Sequence, residues 1–459
     1  MSYDAFRATK GRSVDAVGIE VAPDAIHPSL HGFQRDLVRW ALRKGRAAIF
    51  STTGTGKTRM QLEWARLSGE RVLIVAPLAV AQQTVREAGA LGIELTYARS
   101  QADAADLTIT NYEMVHHFDA AQFGAVVLDE SSILKAMDGK LRTALIRQFA
   151  ATPYRLCCTA TPAPNDLDEL GNHAEFLGIL TLAEMRATFF VNDQGTKERI
   201  GWRLKGHARE PFYRWLASWG MTLTRPSDLG YPNDGYDLPP LTIVPMILAT
   251  DYRPPGQLFA TSLHGITDRA AVRKQTIAER VTATAALVAQ EPDEPWLLWP
   301  GLNEEADRLT AAIPGAVNVQ GSMTPEAKAD ALLAFADGHI PVLVTKPSIA
   351  AFGLNLQHCA RMAFVGLSDS YEQYFQAIRR CWRYGQTREV KCFIVLTEPE
   401  EVIYENVLRK EREAATTARE LVKHVAEYEK AQLGQARHRV TYDPSVPMTL
   451  PNWLKGFAA

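Results

Sequence analysis

The chain has 459 residues but only five cysteines, Cys157, Cys158, Cys359, Cys381 and Cys392, and no C-x-x-C spacing among them. That scatter excludes a zinc ribbon and a secreted disulfide scaffold, and it fits a reducing cytoplasm. No run approaches the roughly 20 apolar residues needed to span a bilayer, and Met1 to Arg7 carry no apolar signal core. Membrane and export roles are set aside. Net charge is also lacking: 50 basic against 52 acidic residues leave −2. Nothing global favours a polyanion, so a nucleic-acid site must be a local basic groove. Nuclease, methyltransferase and metal-finger motifs are missing too, which leaves specificity to a possible protein partner.

What is present is apolar content of 46% over a long chain, enough for about two to four domains. From about residue 30, short β-rich runs alternate with helix-like stretches, the pattern of parallel sheets covered by helices. A first series comprises Ala47 to Phe50, Val72 to Ala76, Leu107 to Thr110, Ala125 to Leu128 and Arg155 to Cys158. A stretch without strand alternation follows, rich in aromatics (Phe189, Phe190, Trp202, Phe212, Tyr213, Trp215, Trp219) and ending in a turn-rich Tyr-Pro-Asn-Asp-Gly at 231 to 235. The second series is Trp296 to Trp299, Ala316 to Val319, Val342 to Thr345, Met362 to Val365 and Cys392 to Leu396. The expected class is α/β. It divides into an N-terminal extension (1–29), a first α/β lobe (30–165), a helical insertion and linker (166–235), a second α/β lobe (236–398), and a long or broken helix with an extended tail (399–459).

The densest chemistry follows the first strand. Ser51-Thr52-Thr53-Gly54-Thr55-Gly56-Lys57-Thr58 leads into a run in which Met60, Trp64 and Leu67 share one helical face. Strand, glycine loop and helix together form a phosphate cradle. Gly54, Thr55 and Gly56 wrap phosphate oxygens with backbone N–H groups, Lys57 brings charge to the β and γ phosphates, and Thr58 ligates Mg2+. A chance Gly-rich turn is the bland alternative. Ala125 to Leu128 ends in Asp129-Glu130-Ser131-Ser132. Acidic pairs after strands are often solvated turns, but beside a phosphate cradle Asp129 suits Mg2+ and Glu130 suits the attacking water. Thr159 and Thr161 follow a further strand and are placed to sense the γ-phosphate.

Far downstream lies Gln376-Ala377-Ile378-Arg379-Arg380-Cys381-Trp382-Arg383-Tyr384-Gly385-Gln386. Phosphoryl transfer needs positive charge at the transition state, and an arginine carried by a second body supplies it only when the bodies close. Arg380 and Arg383, three apart, are expected on one helical face. A solvated basic helix is the alternative. Gly353-Leu354-Asn355-Leu356-Gln357 is a further loop that links nucleotide state to the second lobe.

The order of these motifs resembles helicase superfamily 2, in particular its Swi/Snf-like branch. His31-Gly32-Phe33-Gln34 resembles the segment whose glutamine reads adenine, which implies that Gln34 favours ATP. Pro77-Leu78 and Thr110-Asn111-Tyr112 resemble the strand-tracking motifs of the first lobe, and Thr159 to Pro162 the coupling motif. Gly353 to Gln357 and Gln376 to Gln386 resemble motifs V and VI, with Arg379 where the family usually has Gly. Leu223 to Leu229 resembles the passage between lobes. The likeness runs from Leu30 to Glu398, and the compact build resembles small helicase-like proteins of tailed phages and prophages. It implies an ATP- and Mg2+-dependent motor in a bacterial or phage-infected cytoplasm, with Gly353 and Asn355 at the nucleotide and Gln376 coupling the sites. Phosphates, those of DNA in this expectation, would be gripped near Pro77, Thr110, Asn111, Gly321, Ser322, Thr345 and Lys346, whatever the base sequence. Three rivals stand beside a DNA helicase or translocase: a duplex translocase without strand separation, an ATP-binding switch subunit, and an RNA motor.

Overall fold

A computed structural model describes residues 14–135, 139–163, 166–193, 201–250, 272–350 and 355–434. Among these residues, nine strands lie in the first half of the chain. They are β1 (Arg46–Ser51), β2 (Val72–Ala76), β3 (Thr96–Tyr97), β4 (Leu107–Asn111), β5 (Ala125–Asp129), β6 (Tyr154–Thr159), β7 (Phe190–Asp193), β8 (Gly201–Leu204) and β9 (Gly220–Leu223). All but β7 and β8 form one sheet in the order β3-β4-β2-β5-β6-β1-β9, and its pairings are parallel throughout. The near-continuous burial of β1, β2 and β5 follows from helices on both faces, which is why their sequences read as apolar runs instead of alternating.

The second sheet is also parallel and runs β10-β15-β14-β11-β13-β12. Its strands are β10 (Leu241–Leu248), β11 (Trp296–Pro300), β12 (Ala316–Val319), β13 (Val342–Thr345), β14 (Arg361–Val365) and β15 (Val390–Thr397). Two α/β lobes and a long C-terminal helix are therefore the architecture, as expected for tandem RecA-like domains.

The stretch at 166–235 is less uniformly helical than its composition suggests. It holds the helices Leu170–Leu177, Leu182–Phe189 and Arg209–Ala217, but also the antiparallel hairpin β7/β8 and the strand β9, which returns to the first sheet beside β1. These strands are four residues each, too short for alternation to register. β10 is likewise absent from the expected series, because Pro245 interrupts it; an edge strand tolerates that proline. The aromatics of the stretch are core: Phe189, Phe212, Trp215 and Trp219 are buried in the first lobe.

The C-terminal helix is unbroken from Glu401 to Gln432, and it packs on both lobes, not one. Ile403 and Val407 join the core of the second lobe, whereas Leu421 and Val425 join that of the first. Near its end, buried Glu429 accepts a hydrogen bond from the Thr222 backbone N–H at 2.6 Å, covering a donor on the exposed edge of β9. The proline-rich tail expected after it lies outside the described residues.

The start of this helix is tied to the second lobe by a buried charge cluster. Arg280, fully buried, donates to Glu305 at 2.9 Å, to Glu400 at 2.7 Å and to Thr276 Oγ1 at 2.5 Å. Replacing it by Met strands two buried carboxylates, with only Arg273 near Glu400 at 3.9 Å. Arg280→Met is expected to lose about 3–5 kcal/mol, read in urea unfolding followed by Trp fluorescence; a loss under about 1 kcal/mol would mean the carboxylates are neutral or hydrated.

Candidate nucleotide site between the lobes

The loop after β1 has the backbone of a phosphate cradle. Gly54 and Gly56 lie at φ 90° and 85°, a region that side chains rarely adopt. A Cβ on Gly56 would stand 2.2 Å from Gln34 Nε2, and one on Gly54 would stand 3.0 Å from the Tyr384 backbone nitrogen and 3.5 Å from Arg383 Cβ. Residues of both lobes thus close on these two glycines. Ser51, where a first glycine is usual, has its hydroxyl accepting from Thr55 Oγ1 at 2.7 Å. Thr55 also donates to Thr52 O at 2.8 Å.

Lys57 opens the helix Lys57–Leu67, and its ammonium donates to the Ser51 and Thr52 carbonyls at 2.8 and 3.1 Å. Burial lowers its pKa, opposed by Glu130 and Asp129 nearby. Thr58 follows in the same first turn. Gln34 is buried, donating through Nε2 to Thr55 O at 2.8 Å and accepting from the His31 N–H at 2.8 Å. Around it stand His31, Phe33, Tyr236 from just past the linker and Tyr384 from the second lobe. The Tyr236 and Tyr384 ring centroids are 4.8 Å apart, and those of Phe33 and Tyr236 are 5.5 Å apart.

At the end of β5, Asp129 is buried, and it accepts from Gln61 Nε2 at 2.7 Å. Burial, then the charge of Glu130, push its pKa up to about 6. Gln61 is one turn past Lys57 on the same helix face; its Oε1 is buried without a hydrogen-bond partner. Tyr112 donates to the Asp129 carbonyl at 2.7 Å. Glu130 sits at φ 54°, the one non-glycine residue at positive φ among the described residues. Its Oε2 accepts from Thr159 Oγ1 at 3.3 Å, and Thr159 Oγ1 accepts in turn from the Thr161 N–H at 3.2 Å. The fit to ATP and a divalent ion is good. A raised buried carboxylate beside a second one is a pair that a cation would relieve, and the glycine loop leaves no room for a Cβ.

The arginine segment differs from expectation. Its helix, Tyr371–Cys381, ends before Arg383, so the two arginines do not share a helical face. Trp382 leaves the helix at ψ 82°, its indole donating to Pro239 O at 2.7 Å, and Gly385 turns at φ 89°. Arg380 is buried and donates to Gln376 O at 3.1 Å and to Gln376 Oε1 at 2.9 Å. Its pKa falls to about 10 through burial and then Arg383, against the favourable charges of Glu130 and Asp129. Arg383 is also lowered by burial, and the strongest charge favouring it is Glu87. Arg379, in place of a glycine, is accommodated by stacking over Trp382 and Phe375, with centroid distances of 4.3 and 5.1 Å. Gly353 lies outside the described residues; Asn355 donates to Glu87 of the first lobe at 3.0 Å.

A cavity of about 690 Å3 opens between the lobes, lined by Pro77 and Asn111 on one side and by Lys328 and Ser348 on the other. Its charged lining is Arg99 and Lys328 against Glu113, Glu130, Glu326 and Glu372, so it is not the basic groove expected. Asn111 is held there by Tyr97 at 3.1 Å. Thr110 and Thr345 are buried within their strands, and the Thr345 hydroxyl donates to Val319 O at 3.1 Å. Gly321 and Ser322 are exposed after β12, and Lys346 is half-buried after β13. Tyr112 and Tyr384, quoted from sequence only as members of motifs, line the candidate site, and so do Gln61, Tyr236 and Glu87, which sequence reasoning missed. Only Gln61 left a signal, four residues after Lys57 on one helix face.

Residues 30–199 match the family described as SNF2-related domain, and residues 304–385 match the helicase conserved C-terminal domain. The first match contains the glycine loop and Asp129-Glu130, the second both arginines. Among curated proteins, none matches the chain.

Proposed function

Because the chain belongs to helicase superfamily 2, in its Swi/Snf-like branch, and is by its two domains a nucleic-acid-dependent, ATP-driven motor, we propose that it hydrolyses ATP between its lobes to move along DNA. The observation that carries this reading is the approach of Arg383 and Tyr384 to Gly54, a second-lobe arginine against a first-lobe phosphate cradle. Gln34 holds the base side, with Tyr236 and Tyr384 beside it. Gly54, Thr55, Gly56 and Lys57 hold the phosphates. Thr58 and Asp129 would hold Mg2+, which when bound screens charge on the phosphates. Glu130 accepts the proton of the attacking water, oriented by Thr159 and, through it, by Thr161. Arg380, braced by Gln376, and Arg383 face the developing charge, while Asn355 marks the seam. Residues 30–165 and 236–398 are read as the moving bodies, 166–235 as the insertion and linker between them.

Nucleic acid is read as running across the interlobe cavity, past Pro77 and Asn111 on one lobe and Gly321, Ser322 and Lys346 on the other. Thr110 and Thr345 are buried as whole residues within their sheets, so such contacts fall to the residues beyond the ends of their strands. With the aromatics of the insertion in the core, travel on duplex DNA without strand separation is the reading favoured over unwinding. The test is ATP turnover with duplex DNA, single-stranded DNA and RNA as stimulants, beside a strand-displacement assay. Stimulation by duplex DNA without displacement is expected; stimulation by RNA alone, or none by any polymer, defeats the proposal.

Few cations line the cavity, so grip depends little on counterion release. With Arg99, Lys328 and Lys346 as the charged contacts, the log–log salt slope of duplex binding is expected near 3, from about 0.9 per neutralised phosphate. A slope of roughly 6 or more, measured by titration at several salt concentrations, would place the path on another, basic surface.

A further inference from the structure

The helix Leu78–Ala90 of the first lobe carries a row of polar groups that meets the second lobe. Glu87 accepts from Asn355 Nδ2 at 3.0 Å and from Gln83 Nε2, on its own helix, at 3.2 Å. One position away, Arg86 lies 3.9 Å from Asp337. That second pair is exposed on both sides, and such pairs contribute little. Glu87 is different, for it is half-buried at the seam and its carboxylate is bonded across the seam to Asn355. Asn355 belongs to the loop before β14, and Leu356, the next residue, donates its N–H to the Arg380 carbonyl at 3.0 Å. The Glu87 contact is thus two links from one arginine, and Glu87 is the strongest counter-charge to the other.

We propose that Glu87 is a positioning residue, the first-lobe acceptor that sets the register in which the second lobe presents Arg383 to the glycine loop. It touches neither the nucleotide nor the reacting atoms. It acts through Asn355, with its charge also favouring the Arg383 cation, fixing where the lobes stop as they close. A hydrogen bond to a carboxylate is stronger and more directional than an apolar contact, so one such acceptor at a seam selects one stopping point among many. The inference rests on the motor reading above for its catalytic consequence, but not for its geometry.

The test uses the full chain with one dye on each lobe and two variants, Glu87→Ala and Glu87→Gln. Glutamine keeps an oxygen for Asn355 and loses the charge; alanine loses both. In the absence of nucleotide, lobe separation by energy transfer should widen in Glu87→Ala and less in Glu87→Gln. Glu87→Ala combined with Asn355→Ala should widen it no further than Glu87→Ala alone, because the Asn355 bond is already lost there. In turnover, kcat should fall roughly tenfold in Glu87→Ala with KM for ATP within about twofold, since misplacement by a fraction of an ångström costs rate, not binding. Glu87→Gln should recover part of that loss. Lobe separation and kcat both at the parent's values would overturn the proposal. So would KM and melting temperature moving together with kcat, which would mark Glu87 as structural. If the parent protein itself shows no ATP turnover, the motor reading fails, and the separation measurements still decide whether Glu87 sets the seam.

Discussion

Arg383→Ala is expected to bind ATP almost as tightly as the parent and to hydrolyse it roughly 10³-fold more slowly. The asymmetry follows from where the contacts lie. Gly54, Gly56, Lys57 and Gln34 all belong to the first lobe and are set by its own strands and helices, with Lys57 and Gln34 bonded to the glycine loop itself. Ground-state affinity therefore survives the loss of a second-lobe side chain. Arg383 instead arrives from outside, with its Cβ 3.5 Å from where a side chain on Gly54 would begin. Its charge is useful only when the lobes meet, which is where transition-state stabilisation differs from binding. Nucleic acid should still bind the variant but should no longer stimulate it, because stimulation on this view is the polymer favouring closure. Nucleotide affinity, basal turnover and stimulated turnover, measured beside Lys57→Ala, separate the cases. Full stimulated turnover would make Arg383 an ordinary seam residue. Loss of ATP binding to the level of Lys57→Ala would move it into the ground-state site.

Arg380 should behave differently, although it is close in sequence. It is buried and bonded twice to Gln376, so its removal disturbs the helix end as well as the charge. Placing both arginines on one helical face treats the segment as continuous helix. The break at Trp382, with its indole on Pro239 and the turn at Gly385, is set by a tertiary contact with the segment that leads into β10. No periodicity within the segment reports that.

Elsewhere legibility tracked how local the cause is. The glycine loop and its helix are readable because positive φ and a helix N-terminus are written within eight residues, 51 to 58. Strands Val72–Ala76 and Val342–Thr345 are readable because burial on both faces leaves an apolar run bounded by polar turns. β9 was not, since four buried residues after a helix look like the rest of that helix's core. The cavity's excess of carboxylates over cations also escaped, because Glu113, Glu326 and Glu372 come from distant segments that only the fold assembles. Thr110 shows a related limit. Its place in the motif suggests a phosphate contact, yet on an inner strand covered on both faces the whole residue is buried, and the strand end belongs to Asn111.

Glu130→Gln is expected to leave ATP affinity intact while turnover falls by about 10² or more. The substitution is close to isosteric, so it isolates the proton acceptor from the packing. That separation matters here because Glu130 is held in a left-handed backbone, φ 54°, which costs a non-glycine residue roughly 1 kcal/mol or more. Glutamine meets the same cost and keeps an oxygen for Thr159, 3.3 Å from the carboxylate. The strained position is over-determined by neighbours: Asp129 before it is held by Gln61 and Tyr112 at 2.7 Å each. Glu130→Gly provides the complementary measurement. It removes the same acceptor and also the backbone strain, so it should be as slow as Glu130→Gln but thermally more stable than it. The measurements are a nucleotide dissociation constant, single-turnover hydrolysis and a melting curve for each variant. Turnover within about threefold of the parent in Glu130→Gln would take the role of base away from Glu130. A Glu130→Gly variant no more stable than Glu130→Gln would mean that the surrounding hydrogen bonds, and not a tolerance for strain at a reacting residue, set the backbone at the end of β5.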